Sequence, residues 1–183
     1  MPTYATEIAL GSPLPAFSLM GVCGEKELSS DSLQGAPVVV VFLCGHCPYV
    51  KAVEERFLSL ARAFIPRGVR WVGIASNDPS LYPEEDSPEA LCRRSREKAY
   101  PFPILYDSTQ AVAKAFGAVC TPEFFVYDTQ HRLYYHGRLD DNWQNPAAVT
   151  REELKEALEK LLQGEPPPSP QLPSMGCSIK WKV

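Results

Sequence analysis

Two cysteines held two residues apart, Cys44-Gly45-His46-Cys47, are the part of this chain best suited to chemistry. Thiols at that spacing meet within one helical turn. They either cycle between dithiol and disulfide or supply half of a tetrahedral zinc site. Structural zinc takes four ligands, usually as two close pairs, and the remaining cysteines stand apart at 23, 92, 120 and 177. A zinc site would need Cys120, Cys177 and His46 to converge separately. Redox chemistry is therefore the expectation, with no metal and no organic cofactor.

The flanking segments say how the pair is held. Pro37 to Leu43 reads P-V-V-V-V-F-L, an apolar, β-branched run that suits a fully buried central strand. After the motif, Val50, Val53, Phe57, Leu60, Ala61 and Phe64 recur at helical spacing, with Lys51, Glu54, Glu55 and Arg62 on the other faces. Pro66 and Gly68 stop this helix. The cysteines thus fall at a strand-to-helix junction, where unpaired amides and the positive end of the helix dipole favour a thiolate. Such a position lowers a cysteine pKa from ~8.5 into the range of roughly 3.5–7.5. Cys44, at the exposed start of the turn, is expected to attack a disulfide, and Cys47 to resolve the mixed disulfide. His46 is expected to add positive charge beside Cys44, favouring the reduced form, and Pro48 suits a helix start.

Downstream, Val69–Ala75 reads as a second strand, parallel to the first across a helical crossover. Ser76–Asp86 reads as a polar loop. Ser87 is an N-cap with Pro88 behind it, starting a helix to about Ala99. Ile104–Tyr106 is a short strand, and Thr109–Phe116 a helix stopped by Gly117. Phe124–Tyr127 and Leu133–His136 form a hairpin. Thr150 and Glu153 make a capping box for a last amphipathic helix that ends at Gly164. Residues 1–164 read as one domain. Residues 165–183 read as a proline-rich tail whose Ile179 and Trp181 pack on it.

The chain has 183 residues, 45% hydrophobic and 22% charged, with a net charge of −4. These figures fit an ordinary globular domain and disfavour a nucleic-acid binder. Met1–Leu10 lacks the basic start and apolar core of a secretory signal, and no apolar run reaches membrane-spanning length. A cytoplasmic location is expected, and with it no disulfide framework; Cys23 and Cys92 read as structural. His131 and His136 are expected to face solvent. Asp140-Asp-Asn-Trp143 is a polar loop, at the rim of the site or covering the core.

Three stretches resemble the thioredoxin superfamily, and within it the redoxin branch of alkyl hydroperoxide reductase/thiol-specific antioxidant-like proteins. They are Gly11-x-x-x-Pro15-x-Phe17-x-Leu19, Val38-Val-Val-Val-Phe-Leu-Cys-Gly-His-Cys-Pro48, and Val119-Cys-Thr-Pro-Glu-Phe-Phe125. The resemblance runs from about residue 9 to 163. It implies an α/β thioredoxin-like fold, with a central mixed sheet flanked by helices, an N-terminal extension and an insertion before the Thr-Pro strand. It also implies that Pro122 is cis and faces the cysteines, and that Thr121 offers its backbone to an extended substrate. The implied partners are disulfide-bearing proteins and a separate reductant or oxidant.

The departures are informative. Leu43 stands where thioredoxin has tryptophan, and Val38 where it has a buried aspartate, so the acceptor for the Cys47 proton is unassigned; Glu123, next to Pro122, is either a candidate for it or a surface glutamate. Gly-His between the cysteines matches protein disulfide isomerases. Peroxiredoxins carry threonine or serine three residues before the peroxidatic cysteine; Cys44 takes that place relative to Cys47, and Val40 replaces the proline further upstream. Thiol–disulfide exchange is the expected activity, a thiol peroxidase the runner-up, and a zinc-binding interaction module the non-enzymatic alternative. Cys120 and Cys177 are accessory thiols or packing residues.

Overall fold

In the computed structural model, which describes residues 1–183, three short strands come first: β1 (Thr3–Tyr4), β2 (Ser18–Leu19) and β3 (Leu28–Ser29). The valine run follows as β4 (Val38–Phe42), then α1 (Pro48–Phe64), β5 (Arg70–Ala75), α2 (Pro83–Asp86) and α3 (Pro88–Glu97). The second half contains β6 (Ile104–Tyr106), α4 (Ala111–Phe116), β7 (Cys120–Thr121), β8 (Glu123–Tyr127) and β9 (Leu133–Gly137). It ends with α5 (Glu153–Leu162) and β10 (Met175–Ser178).

Every residue of β4 is fully buried, as a run without polar alternation requires. The strand lies at the centre of a five-stranded sheet in the order β6-β5-β4-β8-β9, parallel to β5 and antiparallel to β8. Its side chains alternate between two cores. Val39 and Val41 join Val50, Phe57, Leu58, Leu154 and Leu158 on the α1/α5 face. Val38, Val40 and Phe42 join Val112, Phe116 and Ile179 on the α4 face. The result is a thioredoxin-like mixed sheet with helices on both sides.

Local signals explain most boundaries. The Ser87 hydroxyl accepts the Ala90 amide, with Pro88 opening α3. Gly117 closes α4 in the left-handed region, at φ 72°. Three expectations are corrected. The Thr150/Glu153 capping box does not form: the Thr150 hydroxyl donates to Asp141, and Glu153 pairs with Arg138. Part of the Ser76–Asp86 loop is helical, as α2. Cys23 and Cys92 are joined in a disulfide across 69 residues, where no disulfide framework was expected.

The tail is built into the fold. β10 pairs with β1 on one side and β7 on the other, and Ile179 is buried in the α4-side core.

Candidate active site

β4 delivers the motif to the edge of the core. The Leu43 amide still bonds to β5, at Ile74 O, and the chain then turns through Gly45 and His46 into α1. Cys47, not Cys44, is the N-cap of that helix, with Pro48 in its first turn. The helix-head environment expected for Cys44 therefore belongs to its partner.

Both sulfurs converge on Thr121. The Cys44 sulfur lies 3.2 Å from the Thr121 hydroxyl, and the Cys47 thiol donates to the Thr121 carbonyl at 3.2 Å. The Thr121–Pro122 peptide is cis. Neither sulfur is open to solvent: Cys44 is 1% exposed and Cys47 0%. This corrects the exposed position expected of Cys44. The pair shares a proton, and the Cys47 thiolate is stabilised first by the hydrogen bond from Cys44, then by the Cys177 thiol and the Val50 amide, which bring its pKa to about 5. The Cys44 thiol is pushed well above its ordinary value by that same bond to Cys47, by burial and by the nearby Asp86 carboxylate. The two sulfurs titrate as one coupled pair, with the Thr121 hydroxyl against Cys44 and the Thr121 carbonyl against Cys47.

Asp86 is the residue that sequence reasoning missed. It sits in the polar stretch before Ser87, where an acid is unremarkable, yet it is buried beneath the motif. One carboxylate oxygen accepts the Gly45 and His46 amides at 2.8 and 3.0 Å. The other lies 2.6 Å from His46 Nδ1 and accepts from Asn77 Nδ2 at 2.9 Å. The His46 ring stacks on Tyr82, with centroids 3.8 Å apart. His46 is thus engaged by a carboxylate, and that same Asp86 carboxylate adds to the rise of the Cys44 thiol. Gly45 has no room for a side chain, since a Cβ there would lie 2.0 Å from the Glu85 carbonyl oxygen.

Ligand atoms of Cys44, His46 and Asp86 lie within 4.8 Å of one another, the grouping a metal would use. Four hydrogen bonds already occupy the Asp86 carboxylate, so these bonds account for the cluster. Cys120 and His136 join a different network. Glu123, fully buried, accepts the Val119 and Cys120 amides at 2.8 and 3.1 Å and pairs with His136 Nε2 at 2.8 Å. These bonds brace the Thr121–Pro122 turn from behind. His136 is buried, against expectation; His131 is half-buried and bonds through Nε2 to Leu33 O at 2.9 Å. Burial, with the Glu123 carboxylate beside it, pushes the Cys120 thiol up.

Beside Pro122 is a cavity of about 190 Å³, lined by Tyr49, Phe124, Trp143 and Met175. Trp143 packs on Tyr49 at 4.3 Å between centroids. The Asp140–Trp143 loop thus forms the rim of the site. Arg56 fixes it through Asp140 Oδ2 and the carbonyls of Asn142 and Trp143.

The same architecture recurs in solved structures. An uncharacterized conserved protein from Geobacillus kaustophilus is 43% identical, with a TM-score of 0.94 over 100% of this chain and 97% of its own. A hypothetical protein from Sinorhizobium meliloti is 33% identical, with a TM-score of 0.93 over 99% of each chain. A thiol:disulfide interchange protein from Chlorobium tepidum, 21% identical, shares the fold with a TM-score of 0.64 over 85% of this chain and 99% of its own. No curated protein matches the chain. The sequence pattern of the AhpC/TSA family matches residues 10–136, which take in the cysteine motif and the Thr121–Pro122 turn, and this chain is a member of that family.

Proposed function

We propose that this protein is a thiol–disulfide oxidoreductase that exchanges disulfides through Cys44 and Cys47. The observation that carries the reading is the convergence of both sulfurs on Thr121, each at 3.2 Å, with Cys47 at the head of α1. In the exchange, the Cys47 thiolate attacks one sulfur of a substrate disulfide and the other sulfur leaves as a thiolate. Cys44 then passes its proton to that leaving group and attacks Cys47, releasing the second substrate thiolate and closing the Cys44–Cys47 disulfide. A separate thiol reductant reopens it. Because the Cys47 charge stabilises the reduced form, the couple is less reducing than a pair without such donors.

Reduction of insulin disulfides by dithiothreitol tests this reading. Catalysis by the intact chain and its loss in both Cys44→Ser and Cys47→Ser support it; an unchanged rate in either variant refutes it. The thiol peroxidase reading draws on one observation, the match of residues 10–136 to the AhpC/TSA family. Consumption of hydrogen peroxide with no insulin reduction would favour it. Substrates and electron donor belong to the same proposal. The Cys23–Cys92 bond moves the proposed setting from the cytoplasm toward an oxidising compartment.

A further inference from the structure

The C-terminal strand reaches the same threonine from the other side. β10 runs antiparallel to β7, with Cys177 opposite Thr121 and Ser178 opposite Cys120. The approach is close enough that a Cβ on Gly176 would fall 1.9 Å from the Thr121 carbonyl oxygen. The strand is pinned beyond that point. The Ile179 amide bonds to Val119 O at 3.0 Å, the Lys180 amide to Asn77 Oδ1 at 2.9 Å, and the Lys182 amide to Gln110 Oε1 at 2.8 Å. The tail therefore lies against the Thr-Pro turn as an added strand, with its cysteine in register with the residue that already holds the Cys44 and Cys47 sulfurs. Of the three thiols, Cys177 alone is partly exposed.

We propose that Cys177 is a third redox thiol, which takes the disulfide from the buried pair by bonding to Cys47 and presents it to reductants at the surface. The inference rests on the dithiol reading above. The step is a two-electron exchange. The Cys177 sulfur attacks Cys47 in the Cys44–Cys47 disulfide; the Cys47–Cys177 bond forms, the Cys44–Cys47 bond breaks, and Cys44 leaves as a thiolate that takes up the proton Cys177 gave up. An external thiolate next attacks the partly exposed Cys177 sulfur and expels Cys47. A second external thiol then frees Cys177 and leaves as the external disulfide.

The acid–base properties suit this order. In the reduced protein Cys177 is held as a thiol, at about 12, first by burial and then by the hydrogen bond and charge of Cys47. Oxidation of Cys47 removes that charge, so Cys177 becomes easier to ionise when there is a disulfide to attack. Cys47, lowered first by its hydrogen bond from Cys44, is the better leaving group when the external thiol arrives.

The test uses the full chain. Cys44→Ser removes the competing partner, so brief treatment with oxidised glutathione should trap Cys47–Cys177, seen as a linked peptide by non-reducing mass spectrometry. Cys44→Ser combined with Cys177→Ser should yield only glutathionylated Cys47. In Cys177→Ser alone, the Cys44–Cys47 disulfide should still form while its reduction by glutathione slows. The result that would overturn the proposal is Cys44→Ser carrying glutathione on Cys47 and a free, alkylatable Cys177, with glutathione reducing Cys177→Ser as fast as the parent. If the parent never forms Cys44–Cys47, the dithiol reading itself fails. Retention of the Cys23–Cys92 peptide in each variant reports that the chain has folded.

Discussion

The chain has two cysteine pairs that differ in what a bond between them achieves. Cys23 and Cys92 are 69 residues apart and bonded. Cys44 and Cys47 are three apart and free. A cross-link stabilises chiefly by restricting the unfolded chain, and its effect grows with the loop it closes. The distant pair closes a long loop, so its bond acts as a staple. The close pair closes almost none, so its disulfide adds little to stability. What surrounds the close pair is instead provision for the reduced state: Thr121, the amide end of α1 and the Cys177 thiol. One pair stabilises by being closed, and the other is built so that it can open.

The comparison breaks most visibly at Cys47. Replacing it with serine is expected to lower insulin reduction on the order of 10⁴-fold, since the attacking sulfur is gone; a variant with near-parent turnover would show that the charge sits elsewhere. Next in size is Gly45→Ala. Its methyl meets the Glu85 carbonyl oxygen, so the Tyr82–Asp86 segment must move off the motif. The expected cost is about 1–3 kcal/mol in urea denaturation, with reduced turnover, as for an overpacked site.

A pH profile sharpens the contrast further. Alkylation of Cys47 by iodoacetamide should rise with pH through a midpoint near 5, and Cys44→Ala should move that midpoint up by removing the leading hydrogen bond. The linked stability has a defined sign. The Cys47 pKa is depressed, so its contribution is full above the ordinary thiol value of 9.0 and is lost as pH falls through about 5. Cys44, raised, works oppositely: its contribution is full below the ordinary value and lost as pH rises through its folded value. An alkylation midpoint at the value of a free thiol would remove the provision for the reduced state on which the contrast rests.

How far the sequence revealed this arrangement depends on the range of the interaction. The valine run and the helical spacing after Pro48 are local patterns, and they place the motif between strand and helix without other information. The cis Pro122 came through resemblance, as no local pattern marks it. The head of α1 was misplaced by three residues, because helical spacing alone does not say whether the first turn opens at Cys44 or Cys47. Asp86 was invisible for a stronger reason. Its partners are 40 and 41 residues away along the chain, and an acid in a polar loop before an N-cap serine looks like surface. Cys177 was noticed as a thiol, but its register against Thr121 depends on a strand, Met175–Ser178, that follows a proline-rich stretch and lacks strand-like composition.

The smallest expected effect on catalysis comes from the distant pair. Combining Cys23→Ser with Cys92→Ser removes a bond that closes a 69-residue loop, so the fold should lose about 2–4 kcal/mol. Insulin reduction at a temperature where the variant remains folded should match the parent, because neither residue hydrogen-bonds to Thr121, Asp86 or the motif sulfurs. Denaturation curves measured in parallel with turnover separate the two effects. If turnover instead falls with stability intact, the distant bond takes part in the redox cycle, and the division between a closed pair that staples and an open pair that reacts no longer holds. If both are unchanged, the loop between Cys23 and Cys92 is held by its packing alone, with Val22 against the core and its amide on Ile104 O.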